Sequence, residues 1–245
     1  MTDRSVSLDE EQLVAVLGFP VQVKVQGEGD PILLINGLTR PLASWEPFAA
    51  ELRNRQVITF DVPGIGASPT PLWPLSIPRL AAIAAAVLDE VGVERADVLG
   101  YSHGGTIAQE LAHESPQRVR GLILVSTSCG VGSTVGDADV LTSLGSVTGS
   151  HPWPRVDSIG VLWHSLAVAS WSSIPFLGSI VAPTLVVTGE HDRLVPPTNA
   201  ALLARRIPGA TMVKLSAGHD LQQPHHAEAL ARAVADFLTS LDVTA

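Results

Sequence analysis

Short apolar runs alternate with helical patterns along most of this chain, and no other feature constrains its fold as strongly. The first two runs, residues 13–17 and 21–26, flank Gly18-Phe19-Pro20, which is interpreted as a turn. Further strand-like runs lie at residues 32–36, 57–60, 97–99, 122–126, 184–188 and 212–215. Helical patterns lie at residues 77–91, 103–115, 198–206 and 227–238, and Ser44 is predicted to cap another helix that ends at Arg53.

This order of elements predicts an α/β fold. Strands that alternate with helices of 10–15 residues form a mostly parallel central sheet, with helices on both of its faces. The alternation continues to the end of the sequence without a linker or a repeat. We therefore predict a single domain over residues 1–245.

Residues 130–181 interrupt the alternation. The interval contains three of the five tryptophans but only four charged residues. It is far longer than an ordinary connection, for which the median is about 4–6 residues. We interpret it as a short helical lid over an apolar pocket, and packing of a helical insertion against the core is the alternative.

Composition excludes several classes of protein. The chain has 15 basic and 24 acidic residues, a formal net charge of −9, so a nucleic-acid partner is not expected. Its single cysteine, Cys129, cannot form an internal disulfide. The acidic start does not resemble a signal peptide, and no apolar run approaches the roughly 20 residues that cross a bilayer. We expect a cytoplasmic protein without integral membrane association.

Gly100-Tyr101-Ser102-His103-Gly104 is the strongest candidate for a reactive site. This Gly-x-Ser-x-Gly pattern lies directly after a predicted strand and before a predicted helix. A strand that turns at once into a helix holds its central residue in a strained conformation, and small neighbours leave the space that this needs. The helix N-terminus behind Ser102 favours negative charge. We predict that Ser102 is a nucleophile.

A serine nucleophile needs a base within hydrogen-bond reach, and eight histidines are available. His219 follows the last predicted strand, so it lies in a loop at the carboxyl edge of the sheet, where Ser102 also emerges. His103 adjoins Ser102, but its side chain is expected to point elsewhere. His219 is predicted to be the base. A metal cluster of His219 with His225 and His226 is not supported, and no metal or cofactor is expected.

A carboxylate should orient this base. Asp192 lies in the loop after the strand at residues 184–188, which places it at the same edge. The order Ser102, Asp192, His219 is one of the known chain orders of a catalytic triad. Glu190 in the same loop remains an alternative. Asp220 is less favoured, because an immediate neighbour cannot easily fold back to orient His219.

Two backbone amides are expected to hold a developing oxyanion. One is the N–H of His103, directly after the nucleophile. The other is the N–H of Leu38, in the loop after residues 32–36, where Gly37 permits a tight turn. Leu38, Trp163 and Trp171 are also expected to contact the substrate, although both tryptophans could serve only to pack the lid. The Gly-rich stretch at residues 61–68 lacks a complete nucleotide-binding pattern and is interpreted as structural.

Together these motifs resemble the α/β-hydrolase fold superfamily from about residue 13 onward. Within it, residues 33–38, 60–66 and 163–184 resemble intracellular medium-chain poly(3-hydroxyalkanoate) depolymerases. This resemblance implies an α/β-hydrolase fold with a short lid. It also implies a Ser102, Asp192 and His219 triad that hydrolyses esters of 3-hydroxy acids.

The predicted function is hydrolysis of carboxylic esters through an acyl-enzyme, with a small-molecule or oligomeric ester as the substrate. The same triad also serves carbon–carbon bond hydrolases and cofactor-free perhydrolases. A ligand-binding module with a non-productive triad is the alternative from another class. Because a neutral histidine is required, activity should fall below roughly pH 6–7. The sequence leaves the oligomeric state open.

Overall fold

The computed structural model describes residues 10–139 and 157–244 of the 245. Its strands are β1 Gln12–Val16, β2 Phe19–Gln26, β3 Asp30–Ile35, β4 Arg55–Phe60, β5 Ala96–Tyr101, β6 Val119–Val125, β7 Thr184–Gly189 and β8 Thr211–Leu215. Its α-helices are α1 Glu46–Ala49, α2 Ile77–Glu90, α3 His103–Glu114, α4 Ser158–Ala169, α5 Pro197–Arg206 and α6 Pro224–Thr244. Short 3₁₀ turns lie at Leu42–Trp45, Pro116–Arg118 and Leu177–Ser179.

The eight described strands form one sheet in the order β1-β2-β4-β3-β5-β6-β7-β8. β1 pairs antiparallel with β2, and β2 pairs antiparallel with β4, whereas the pairs from β4 to β8 are parallel. Parallel strands end at a common edge, so the loops after β3, β5, β7 and β8 lie on the same side of the molecule. The predicted mostly parallel α/β fold is confirmed.

Helices cover both faces of this sheet. Buried side chains of α2, α3 and α5 pack on one face, and those of α1 and α6 pack on the other. Every residue of β5 and of β7 is buried. Strands with two covered faces are mostly apolar, which explains why their sequences lack the alternation of half-exposed strands.

Two local predictions are wrong. The first turn contains only Leu17 and Gly18, both with positive φ, and the two residues after them already belong to β2. Positive φ at both central residues gives the turn a twist that matches the flanking strands. Pro20 is tolerated in β2 because β4 pairs only with the later part of that strand, from Val23 onward.

The predicted helix from Ser44 to Arg53 is also wrong. A 3₁₀ turn at Leu42–Trp45 leads into the four-residue α1, and β4 begins at Arg55. The buried Ser44 hydroxyl accepts a hydrogen bond from Asn36 Nδ2 at 2.9 Å instead of capping a helix. This contact ties the segment to the loop after β3.

Candidate active site

Ser102 lies at the sharp junction between β5 and α3. Its backbone has φ +52° and ψ −119°, a conformation that residues other than glycine rarely adopt. The Ser102 N–H donates to the Val125 carbonyl at 2.9 Å, and the Thr127 hydroxyl donates to the Ser102 carbonyl at 2.7 Å. Contacts from the end of β6 therefore hold the strained residue in place.

Glycines near Ser102 are required by close backbone packing. A Cβ at Gly104 would collide with the Ile35 carbonyl oxygen, and a Cβ at Gly105 would collide with the Thr127 side chain. A Cβ at Gly100 would lie 2.6 Å from the Gly105 Cα. The small residues of the motif therefore let α3 start directly against β3 and β6.

Ser102, His219 and Asp192 are brought together by three separate loops at the carboxyl edge. His219 Nε2 lies 3.0 Å from Ser102 Oγ, and His219 Nδ1 lies 2.8 Å from Asp192 Oδ2. A carboxylate only accepts hydrogen bonds, so Nδ1 carries the proton of the neutral imidazole. Nε2 is then free to accept the proton of the Ser102 hydroxyl.

The Asp192 side chain is fully buried and held in a fixed orientation. Its Oδ1 accepts from the backbone N–H of Leu194 at 3.0 Å and of Val195 at 2.8 Å, which leaves Oδ2 for His219. Glu190, the alternative carboxylate from the same loop, is exposed. The geometry therefore favours Asp192 over Glu190.

Asp220 interacts with other partners. Its two oxygens each lie 2.8 Å from Arg40 Nη2, and its Oδ1 accepts from the Tyr101 hydroxyl at 2.7 Å. Partial burial acts to raise the pKa of Asp220, but the Arg40 charge and the Tyr101 hydrogen bond outweigh it and leave the pKa below its ordinary value. Asp220 is therefore held as a carboxylate beside His219 without orienting its ring.

The loop after β3 lies directly against the nucleophile. A Cβ at Gly37 would approach the Tyr101 ring at 2.9 Å and Ser102 Cβ at 3.4 Å. Asn36 Nδ2 donates to the Pro41 carbonyl at 2.6 Å as well as to Ser44, which holds the loop in shape. This arrangement keeps backbone next to Ser102, as an oxyanion site requires, while donation by the Leu38 and His103 amides remains a prediction.

The His103 side chain points away from Ser102, as expected. Its Nε2 lies 3.0 Å from Nδ1 of the buried His164 on α4, whose Nε2 lies 3.0 Å from the Pro63 carbonyl oxygen. A carbonyl only accepts, so in the neutral pair His164 donates to Pro63 and His103 donates to His164. Burial lowers the pKa of both imidazoles, and His164 lowers that of His103 further.

The two tryptophans predicted to contact substrate have other contacts in the structure. Trp171 is buried and donates from Nε1 to Glu110 at 2.6 Å. Trp163 on α4 is half-buried and donates from Nε1 to the Pro71 carbonyl at 3.2 Å. These contacts join the interval 130–181 to α3 and to the loop that contains Pro71, and substrate contact by either ring remains a prediction. Residues 140–156 of this interval lie outside the described part.

The segment at residues 61–68 is a structural corner. Asp61 accepts from the backbone N–H of Leu42 at 2.6 Å and of Ala67 at 2.8 Å. Burial raises the pKa of Asp61 to about 6 despite these two bonds. A Cβ at Gly66 would collide with the Asp61 carboxylate, and this explains the glycine there.

Sequence reasoning missed Arg40, Tyr101 and His164 as neighbours of the site. The pair Arg40–Asp220 is separated by 180 positions, and no spacing rule connects residues so far apart. The one available signal for His164 was its position as a histidine in an apolar helical pattern. Among residues 10–139 and 157–244, no helix is long and apolar enough to cross a membrane, and no three metal-ligating side chains form a cluster.

Comparisons with known proteins agree with this fold and geometry. A family model described as "alpha/beta hydrolase fold" matches residues 30–144, and one described as "TAP-like protein" matches residues 168–245. The chain belongs to the α/β-hydrolase family, and it is a hydrolase.

Two relatives and one solved structure show which hydrolases this chain resembles. A poly(3-hydroxyalkanoate) depolymerase of Ectopseudomonas oleovorans is 34% identical, with 85% of this chain and 84% of that one covered. A 2-hydroxymuconate semialdehyde hydrolase of Pseudomonas putida is 28% identical, with 98% of this chain and 97% of that one covered. The crystal structure of an enol-lactonase from Burkholderia xenovorans LB400 has a TM-score of 0.81 and 26% identity, covering 93% of this chain and all of that one. The predicted resemblance to the depolymerases is thereby supported.

Proposed function

We propose that this protein is a serine esterase that cleaves carboxylic esters with apolar acyl or 3-hydroxyacyl groups. The observation that carries the proposal is the continuous hydrogen-bonded chain from Ser102 Oγ through His219 to Asp192, at 3.0 and 2.8 Å. Distances of this size allow proton transfer between nucleophile and base without rearrangement. The similarity to a poly(3-hydroxyalkanoate) depolymerase supports an ester substrate.

The first half of the reaction forms an acyl-enzyme. Ser102 Oγ attacks the ester carbonyl carbon while His219 Nε2 takes the hydroxyl proton, and Asp192 stabilises the imidazolium that forms. The carbonyl oxygen becomes an oxyanion held by the amides of His103 and Leu38. His219 then gives its proton to the leaving alcohol as the C–O bond breaks.

The second half releases the acid. A water molecule attacks the acyl carbon, and His219 takes one proton from that water. The tetrahedral intermediate collapses, the bond to Ser102 Oγ breaks, and His219 returns the proton to Ser102. The free enzyme is regenerated and the net reaction is ester plus water giving acid plus alcohol.

The composition of the interval 130–181 supports an apolar substrate. Its sequence contains one arginine, Arg155, and no lysine. A segment so poor in cations favours an apolar group over a substrate carboxylate, and burial of an acyl chain contributes about 0.8 kcal/mol per methylene. We therefore propose that residues 130–181 form a lid that selects apolar acyl chains, and that the protein acts in the cytoplasm on small or oligomeric esters.

The test measures turnover of p-nitrophenyl esters with acyl chains of two to twelve carbons. We expect kcat/KM to rise with chain length until the acyl pocket is full. Replacement Ser102→Ala should lower kcat by about 10⁴-fold or more while the thermal unfolding midpoint stays within a few degrees of that of the native protein. Activity that survives Ser102→Ala would refute the nucleophile.

Other outcomes distinguish the remaining functions. Negligible ester turnover, together with covalent labelling of Ser102 by an alkyl phosphonate, would indicate an activated serine with a different substrate. A carbon–carbon bond hydrolase would then be tested, since a 2-hydroxymuconate semialdehyde hydrolase is among the relatives. Absence of both turnover and labelling would indicate a binding module.

A further inference from the structure

Three segments that surround Ser102 and His219 converge on one carboxylate that the proposed reaction does not use. Arg40 lies in the loop after β3, Tyr101 immediately precedes the nucleophile, and Asp220 immediately follows His219. We call Arg40, Tyr101 and Asp220 the Asp220 cluster. Its members come from parts of the chain up to 180 positions apart, so only the folded protein brings them together.

The contacts within the Asp220 cluster are short and directional. Arg40 Nη2 lies 2.8 Å from both carboxylate oxygens of Asp220, and the Tyr101 hydroxyl donates to Oδ1 at 2.7 Å. Only 13% of the Arg40 side chain is exposed, against 44% for Asp220. Charge-assisted hydrogen bonds of this length are among the stronger polar contacts in proteins.

The same cluster also contacts the reaction centre. The Tyr101 ring lies against the His219 imidazole, with ring centroids 5.2 Å apart and planes tilted by 45°. The Tyr101 ring also packs closely against Gly37, where an added Cβ would lie 2.9 Å from the ring. Arg40 N–H donates to the Gly37 carbonyl at 3.2 Å, which closes the turn that contains Leu38. Each end of the cluster is therefore attached to a segment with a role in the proposed reaction.

The charge states in the cluster are fixed by its environment. Burial, together with the neighbouring Asp220 carboxylate, keeps the pKa of Tyr101 well above its ordinary value, so the phenol remains a hydrogen-bond donor. The arginine is always cationic. One positive and one negative charge are thus held side by side next to His219 and largely cancel.

We propose that Arg40 and Asp220 are positioning residues that hold the loop expected to supply the Leu38 amide in register with the loop that carries His219. This inference rests on the esterase function proposed above and adds residues that do not touch the reacting atoms. In this arrangement Asp220 is the shared hydrogen-bond acceptor. Arg40 connects the loop after β3 to it, and Tyr101 connects the end of β5 to it.

A partly exposed ion pair stabilises a folded protein only slightly, about 0–1 kcal/mol. Its loss should therefore affect the alignment of the two loops much more than global stability. A displacement of about 1 Å at a reaction centre can cost up to about 100-fold in rate. A positioning role consequently predicts a large change in kcat with little change in thermal unfolding.

The experiment compares Arg40→Met, Asp220→Asn and the double variant with Asp89→Asn. Asp89 on α2 forms an ion pair with Arg118 of the 3₁₀ turn at Pro116–Arg118. This pair resembles Arg40–Asp220 in length, 2.8 Å, and in the exposure of its arginine side chain, 15%. We expect each variant of the Asp220 cluster to lower kcat by about 10- to 100-fold with KM within about threefold. The double variant should be no slower than the slower single variant, because one shared contact is lost in all three.

The pH–rate profile supplies a readout that a merely structural role would not move. The groups that face His219 are Asp192, Tyr101, Asp220 and, through Asp220, Arg40. Arg40→Met leaves an unbalanced carboxylate beside the base, which favours imidazolium and should move the acidic midpoint up by about half a pH unit. Asp220→Asn leaves an unbalanced guanidinium and should move this midpoint down, and the double variant should return it toward the native value.

The outcomes separate this inference from the proposed function. If the native protein and Asp89→Asn hydrolyse esters while both variants of the Asp220 cluster keep native kcat and native acidic midpoints, the positioning role is refuted and the esterase remains. If both variants lose activity only because their unfolding midpoints collapse, the cluster is structural and the inference is also refuted. If the native protein neither turns over esters nor reacts with a phosphonate at Ser102, the esterase and the positioning role fall together.

Discussion

At the scale of single residues, the three acidic side chains near His219 differ in the partners that they contact. Asp192 is buried and bonded to His219, Asp220 is bonded to Arg40, and Glu190 is exposed. Only the first can stabilise the imidazolium through a direct hydrogen bond. The sequence predicted Asp192, left Glu190 of the same loop as an alternative and disfavoured Asp220 as the immediate neighbour of His219. The contacts of the three carboxylates favour Asp192.

Two matched amide variants test whether Asp192, and not Glu190, is the carboxylate that supports His219. Asp192→Asn should lower kcat by about 10³–10⁴-fold, because an amide can donate to Nδ1 and so favour the wrong tautomer of His219. Glu190→Gln makes the same chemical change in the same loop and should keep kcat within about twofold of the native value. Steady-state kinetics on a p-nitrophenyl ester measure both, and equal losses in the two variants would contradict the assignment.

Gly104, at the junction between β5 and α3, allows a second test at this scale. Gly104→Ala would push a methyl group against the backbone of β3, which cannot retreat without disturbing the sheet. We expect a loss of about 3 kcal/mol in the free energy of unfolding. Gly178→Ala is the control, because a Cβ there meets no atom within 4 Å. Urea denaturation compares the two, and an equally stable Gly104→Ala protein would show that α3 does not need this close approach.

At the scale of elements, α4 is attached to the start of α3 through the buried imidazole pair of His103 and His164. Burial lowers the pKa of both from the ordinary value of 6.5, so the folded protein binds these protons less readily than the unfolded chain does. The stability that the neutral pair contributes is fully present above about pH 6.5. It is lost as the pH falls from there through the lowered pKa values of the folded state.

Replacement of one imidazole should therefore flatten the pH dependence of stability. Between pH 7 and 5, His164→Gln should lose part of the decline in unfolding midpoint that the native protein shows, since the glutamine does not titrate. His225→Gln, at an exposed position near the start of α6, is the matched control and should retain the native decline. Thermal unfolding at half-unit pH intervals gives the slopes, and parallel slopes for all three proteins would rule out the pair as their source.

The succession of strands and long helices along the chain was predictable because apolar periodicity reflects which residues of these elements are buried. The prediction of a helix after Ser44 was wrong because the serine hydroxyl accepts a hydrogen bond from Asn36 instead of capping a helix. Apolar periodicity gives no information about such a side-chain contact. The first turn was misplaced because Leu17 adopts positive φ, which its residue type disfavours. The Gly-x-Ser-x-Gly motif and the loop positions predicted Ser102, Asp192 and His219, which the structure brings together. Arg40 and His164 could not be predicted, because their contacts arise only in the packed fold.

At the scale of the whole molecule, the sheet separates two apolar layers that are built from different helices. Leu203 of α5 is fully buried on one face, and Leu230 of α6 is fully buried on the other. Both layers pack on the same strands, so loss of either should weaken the entire sheet. This shared support is the physical basis for expecting one domain rather than two.

Leu203→Ala and Leu230→Ala should each lower the free energy of unfolding by about 2–5 kcal/mol. Each variant should still unfold in a single transition when fluorescence and circular dichroism are followed in urea. Leu72→Ala, at a leucine that is 87% exposed, should change stability by no more than about 0.5 kcal/mol. Separate transitions in the two core variants would show that the layers fold independently.

The interval 130–181 joins two strands that are already neighbours, since β6 and β7 pair directly through Leu122 to Val125. Ser102, Asp192 and His219 all lie outside that interval. Changes to the inserted sequence therefore leave the chain segments that carry the groups that make and break bonds unaltered. Under the lid role proposed above, chemistry and substrate choice would be inherited on separate stretches of the gene, which would let descendants exchange one ester for another while keeping the same reaction.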